Sequence, residues 1–250
     1  MLRGAVVRHN ARRCRKLPAI VSTLYLIRHG QASFGSDDYD RLSAVGRDQV
    51  AHLREHLRTL DLGLDGLWCG SLRRQSDSAG ILAAGSALRP QVDAAFDEYR
   101  AEPLIRGWLA RQGSDATDAT GHRRLQVASP RDYQRLLEAA GLAWIRGELD
   151  DAADERWPAF RARVGSGLHT LMRTAGRGRR IAVCTSAGVI GAAVGHVLGL
   201  DDRQTLTLSW SVYNASLTVL LFSERRASVS SFNSLPHLER PGLGRLITYR

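Results

Sequence analysis

Short apolar runs alternating with amphipathic stretches of helical length constrain this chain more than any other feature. Leu24 to Ile27 (LYLI) is a short apolar run, partly β-branched and aromatic. It reads as a strand buried on both faces of a parallel sheet. Ser43 is placed to cap a helix running to about Leu60, in which Val50, Leu53, Leu57 and Leu60 form one apolar face. Gly66 to Cys69 is a second strand, followed by a helix from about Leu72 to Ala84, and a third strand falls near Val92. Arg180 to Cys184 (RIAVC) is another strand, Gly188 to Leu198 another helix, and Ser216 to Phe222 and Ala227 to Phe232 supply late edge strands. Repetition of strand then helix requires right-handed crossovers. The expected fold is α/β, a three-layer sandwich with a mostly parallel central sheet flanked by helices.

The segment from about Arg100 to Trp157 departs from this rhythm. It has a loop-like stretch, RQGSDATDATGHRR, and helical patterning around Tyr133, Leu136, Leu137 and Ala140. It reads as a helical insertion, either shaping a pocket or covering the sheet. With 250 residues and 44% hydrophobic content the chain can bury a sizeable core, and residues 23–250 are expected to form a single domain.

The formal charge of +10 looks at first like a nucleic-acid signature. Six of those charges, Arg3, Arg8, Arg12, Arg13, Arg15 and Lys16, lie in residues 1–22, which hold no acid and read as a disordered basic tail. The body is only mildly basic, so nucleic acid is not an expected partner. Cys14, Cys69 and Cys184 form no CxxC pair, which indicates neither a disulfide framework nor a metal site. No apolar run reaches the roughly 18 residues of a membrane span, and the expected location is cytoplasmic.

Function is concentrated where the strands end, because loops leaving neighbouring parallel strands converge there. The first strand delivers Arg28, His29 and Gly30, followed by Gln31. The second leads into GSLRRQSDSA, the third to Phe96, Asp97, Glu98 and Tyr99, and RIAVC into Thr185, Ser186, Ala187 and Gly188. An imidazole, arginines and a carboxylic acid at adjacent loops are equipped for phosphoryl transfer. A neutral histidine attacks phosphorus, guanidinium forks hold the equatorial oxygens, and the acid protonates the leaving alcohol. On composition alone Arg73 competes with Arg74, and Asp97 with Glu98.

The RHG after a strand, the spacing of Leu72, Arg74, Ser78 and Ala79, and the acid at Glu98 resemble the histidine phosphatase superfamily, or phosphoglycerate mutase-like proteins. GQASFGSDDYDRLSAVGRDQ is similar to its small bacterial phosphatase-like members, and the likeness runs from about Thr23 to His237. The resemblance implies a phosphoglycerate mutase-like fold and a phosphohistidine formed on His29. It implies Arg28 and Arg74 as phosphate clamps and Glu98 as proton donor, without cofactor or metal. Gly30 and Gln31 join the expected phosphate-binding set. One position departs from the pattern: where the family has a second histidine, this chain has Ser186, leading into a helix whose first amides can attract an anion.

The expected activity is metal-independent hydrolysis of a small phosphomonoester at a reduced rate. The alternatives are a phosphate-ester binding protein without turnover and a phosphoglycerate-type mutase. Sequence leaves the substrate and the oligomeric state open.

Overall fold

A computed structural model describes residues 21–33, 40–113 and 129–249. The basic tail up to residue 20, and most of the loop-like stretch of the insertion with His122, lie outside the described residues. The strands are β1 (Ser22–Arg28), β2 (Gly66–Cys69), β3 (Gln91–Val92), β4 (Arg180–Thr185), β5 (Leu217–Phe222) and β6 (Ala227–Ser234). The helices are α1 (Ala44–Thr59), α2 (Arg73–Ala83), α3 (Ala101–Arg111), α4 (Pro130–Ile145), α5 (Trp157–Thr174), α6 (Ala187–Leu198) and α7 (Asp202–Trp210).

One six-stranded sheet runs in the order β3-β2-β4-β1-β5-β6. The pairings β3·β2, β2·β4 and β4·β1 are parallel, whereas β1·β5 and β5·β6 are antiparallel. The sheet is therefore mostly parallel and mixed at one side. The late strands are not both edges: β5 pairs on both sides, and β6 and β3 are the edges. A run such as LTVLLF is as apolar as a central strand, and only pairing with β1 reveals its place.

Alternation along β1 assigns its two faces. Leu24 and Leu26 join Ile181, Val183, Leu220 and Phe222 in a core closed by α4, α5 and α6. Tyr25 and Ile27 face Val50, Leu53 and Leu57 of α1 and Ala79 and Leu82 of α2, together with Cys69 and Cys184. Both cysteines are buried free thiols. Ser43 caps α1 by accepting from the Gly46 amide. Leu60, expected on the apolar face, instead sits at the helix C-cap and is 42% exposed.

The insertion belongs to the larger core. Leu104 and Ile105 of α3 and Leu137, Ala140, Ala143 and Trp144 of α4 are buried in the same cluster as β1. Trp144 packs edge-on to Trp157, with ring centroids 5.0 Å apart. Among the described residues the insertion thus joins the core on that face of the sheet, packing against α5 and α7, and no helix is long and apolar enough to cross a membrane.

Candidate active site

β1 and β4 are parallel neighbours, with Arg28 level with Thr185. The ladder continues one step past β1, where the His29 amide donates to the Thr185 carbonyl at 2.8 Å. That register sets His29 alongside Ser186. The His29 carbonyl accepts from the amide of Ala215 at 3.2 Å and from Asn214 Nδ2 at 3.4 Å. Ala215 has a φ of 55°, a left-handed conformation that costs a non-glycine residue free energy and clusters near functional sites.

The imidazole is 5% exposed and its two nitrogens are differentiated by their neighbours. Nδ1 lies 2.7 Å from the Gly30 carbonyl, which can only accept, so Nδ1 carries the proton. Nε2 accepts from Arg74 Nε at 3.1 Å and therefore holds the lone pair. Burial, then the charges of Arg74 and Arg28, push the His29 pKa well below the ordinary histidine value. The lowered pKa favours neutral imidazole, with its Nε2 lone pair under a guanidinium.

Arg74 stands in the first turn of α2, where Arg73 projects from a different side. Arg74 Nη1 bonds Asp40 Oδ1 at 2.6 Å, and the same carboxylate accepts the Arg73 amide at 2.8 Å. Asp40 thus fixes both the helix start and the guanidinium. Arg28, the last residue of β1, donates from Nη1 to the Val212 carbonyl, and its charge acts on both His29 and Glu98. Those shared influences show that Arg28, Arg74, His29 and Glu98 lie close together.

The two candidate acids have different surroundings. Asp97 accepts from the Ser71 amide at 2.5 Å and the Ser71 hydroxyl at 2.7 Å, and so anchors a turn. The Glu98 carboxyl is enclosed, and its Oε2 accepts from the Gly188 amide at 2.8 Å. Burial raises its pKa, outweighing that hydrogen bond and the two arginines. Gly188 lies in close approach to the acid: a Cβ there would come within 2.2 Å of Glu98 Oε1 and 2.7 Å of the Tyr99 ring, so one of these side chains would have to shift. One of the helix-start amides expected to meet phosphate is therefore already engaged by the acid.

The backbone amides of Gly30 and Gln31, expected in the phosphate-binding set, are engaged by side chains of the framework. The Gly30 amide donates to Ser78 Oγ at 3.2 Å, and a Cβ on Gly30 would lie 2.2 Å from the Gly46 carbonyl oxygen. The need for glycine is thus the crossing of two backbones. The Gln31 amide donates to Gln49 Oε1 at 2.8 Å, and its Oε1 accepts from the Ser43 hydroxyl at 2.9 Å. Ser186 is 1% exposed and N-caps α6 without a side-chain capping bond. Its Oγ accepts from Gln75 Nε2 at 2.9 Å. His237 is buried away from this pocket, and burial with the charges of His56, His52 and Arg240 lowers its pKa to about 3.

Sequence reasoning missed Asp40, Gln75 and Gln49. Each acts through a partner distant in the chain, and although all three lie within or beside quoted motifs, nothing local to them names that partner.

The model of the histidine phosphatase superfamily (branch 1) matches residues 24–235. The chain belongs to the histidine phosphatase superfamily. Solved structures share its fold at low identity. A phosphoglycerate mutase from Bacillus anthracis str. Sterne is 17% identical, with 88% of this chain and 96% of that one covered at a TM-score of 0.60. A putative alpha-ribazole-5'-P phosphatase from Escherichia coli str. K-12 substr. MG1655 is 18% identical, covering 85% and 96% at 0.60. A mycobacterial glucosyl-3-phosphoglycerate phosphatase is 21% identical, covering 85% and 98% at 0.59. No curated protein matches the chain.

Proposed function

We propose that this histidine phosphatase superfamily member is a cytoplasmic, metal-independent phosphomonoester hydrolase of the small bacterial phosphatase-like kind, working through a phosphohistidine at a reduced rate. The observation that carries the reading is the tautomer of His29, with Nδ1–H fixed on the Gly30 carbonyl and the Nε2 lone pair beneath Arg74. The Nε2 lone pair forms the N–P bond as the bond from phosphorus to the leaving oxygen breaks. Glu98, whose pKa is raised by burial, gives its proton to that oxygen. Water then attacks phosphorus, the N–P bond breaks, and the Glu98 carboxylate takes the water's proton. Arg28 and Arg74 offset charge on the equatorial oxygens, where it accumulates in the transition state.

The substrate is a small phosphate ester, in keeping with the phosphatases among the similar structures. A neutral serine at position 186, where the resemblance implies a histidine, supports the reduced rate. The test is a screen of phosphate esters in EDTA with free phosphate as readout, followed by acid quench of the best substrate. An acid-labile, base-stable phosphoenzyme is expected in the wild type and absent from His29→Ala. Wild-type hydrolysis by His29→Ala would sink the mechanism.

A further inference from the structure

The best-determined hydrogen-bond direction near the pocket belongs to a residue without an assigned role. Gln75 is fully buried, one position beyond Arg74 on α2. Its Oε1 accepts from the Leu72 amide at 3.3 Å, and its Nε2 donates to the Phe96 carbonyl at 3.2 Å. A main-chain N–H can only give and a carbonyl can only take, so these two contacts exclude the flipped amide. The remaining Nε2 proton points at Ser186 Oγ, 2.9 Å away.

Ser186 must therefore accept from Gln75, which leaves its own O–H as a donor. Among the described residues no carbonyl or carboxylate takes that proton. Ser186 stands one register step beyond Arg28·Thr185, alongside His29, and two residues before the Gly188 amide that holds Glu98. We propose that Gln75 is a positioning residue that fixes the Ser186 hydroxyl as a hydrogen-bond donor to the bound phosphoryl group. This rests on the phosphate-handling reading of the same pocket. The serine–glutamine pair supplies, with neutral groups, a directed donor at the place where the family resemblance implies an imidazole. Gln75 also shares the Phe96 carbonyl with Thr185 Oγ1, at 2.7 Å from the threonine, and so steadies the loop that leads to Glu98.

A merely structural glutamine and a positioning one separate in a double-mutant cycle. Vanadate affinity is measured for wild type, Gln75→Met, Ser186→Ala and the double variant, with kcat on p-nitrophenyl phosphate in parallel. Loss of one hydrogen bond to a charged ligand corresponds to about tenfold or more in affinity. Ser186→Ala and Gln75→Met should each show that loss, and Gln75→Met should add less than about twofold in the Ser186→Ala background. Equal losses in both backgrounds, or none in either, would overturn the proposal. If Gln75→Met does not fold, Gln75→Glu is read only through its coupling with Ser186→Ala: it keeps the acceptor for Leu72 and removes the N–H that orients Ser186, and its added charge repels vanadate equally in both backgrounds. The vanadate arm stands if no ester is turned over, so loss of the hydrolase reading alone leaves the proposal measurable. Failure of the wild type to bind vanadate would overturn both.

Discussion

The ends of β1 and β4 lie side by side in register, yet they furnish the pocket differently. β1 ends in Arg28 and His29, with Arg74 brought over the imidazole by α2 and held there by Asp40. β4 ends in Thr185 and Ser186, whose neighbours Gln75, the Phe96 carbonyl and the Gly188 amide carry no formal charge, and Glu98 docks there as a buried acid. Buttressing differs too. Behind β1, Gln49 ties Gln31 to the C-terminal segment through Leu246 and Thr248, while Thr248 pairs with Asn214 under the His29 carbonyl. Behind the acid, Arg163 of α5 reaches the carbonyls of Ala94, Ala95 and Asp97, and Tyr99 packs on Trp144 at 4.8 Å. The β1 end concentrates positive charge around the imidazole; the β4 end encloses a carboxyl whose pKa burial raises.

Removing the acid should break that division most severely. Glu98→Gln is expected to lower kcat by about 10² to 10⁴ on alkyl phosphates, the usual range for a lost general acid. The loss should be much smaller for p-nitrophenyl phosphate, whose phenolate departs without a proton. The pH dependence carries the sign. Hydrolysis needs neutral His29, whose pKa lies well below the ordinary histidine range, and protonated Glu98, whose pKa is raised. The wild-type kcat/KM should therefore persist into acid and fall as pH rises through the raised Glu98 pKa. Glu98→Gln should lose that alkaline limb, and an unchanged limb would assign it to another group.

Next in size is the arginine pair. Arg74→Ala is expected to weaken vanadate affinity by about 10²-fold, near the upper value of a charge-assisted hydrogen bond, and Arg73→Ala by less than about threefold. Consecutive residues on a helix are about 100° apart, so only one reaches His29. Equal effects in an affinity titration would mean that both guanidiniums serve the β1 end.

The buttress gives the smallest effect. Gln49→Leu leaves the part-buried Gln31 amide and the buried Leu246 carbonyl without their partner, at about 1–3 kcal/mol for the buried orphan and less for the part-buried one. Denaturant midpoints should fall accordingly, and amide exchange should accelerate in the C-terminal segment before it does at Thr185. Uniform acceleration at both strand ends would erase the distinction between the two supports.

Much of the β1 end was legible in the sequence. A strand that stops at Arg28-His29-Gly30 states its chemistry locally, because a buried apolar run followed by a cation and an imidazole has few other uses. The preference for Arg74 over Arg73 and for Glu98 over Asp97 came with the family spacing. The structure sets the members of each pair apart, with Asp40 bonded to the Arg74 guanidinium and Ser71 to Asp97. Gly30 and Gln31 were placed in the pocket by their position in the chain, but their amides bond Ser78 and Gln49, residues 48 and 18 positions away. The insertion left pocket shaping and sheet cover open, since its helical spacing shows an apolar face without saying what that face meets.

The sequence by itself determined the strand–helix order, the cap of α1, the buried character of β1 and β4, and the residue types that could hold and attack a phosphoryl group. These follow from periodicity, capping chemistry and strand-end placement, which act over a few residues. Tertiary structure alone decided the internal place of β5, the tautomer of His29, the separation of Asp97 from Glu98 and the direction of the Gln75–Ser186 bond. Each depends on a donor or acceptor delivered from a distant segment, and a hydrogen bond's direction is set only when both ends are in place.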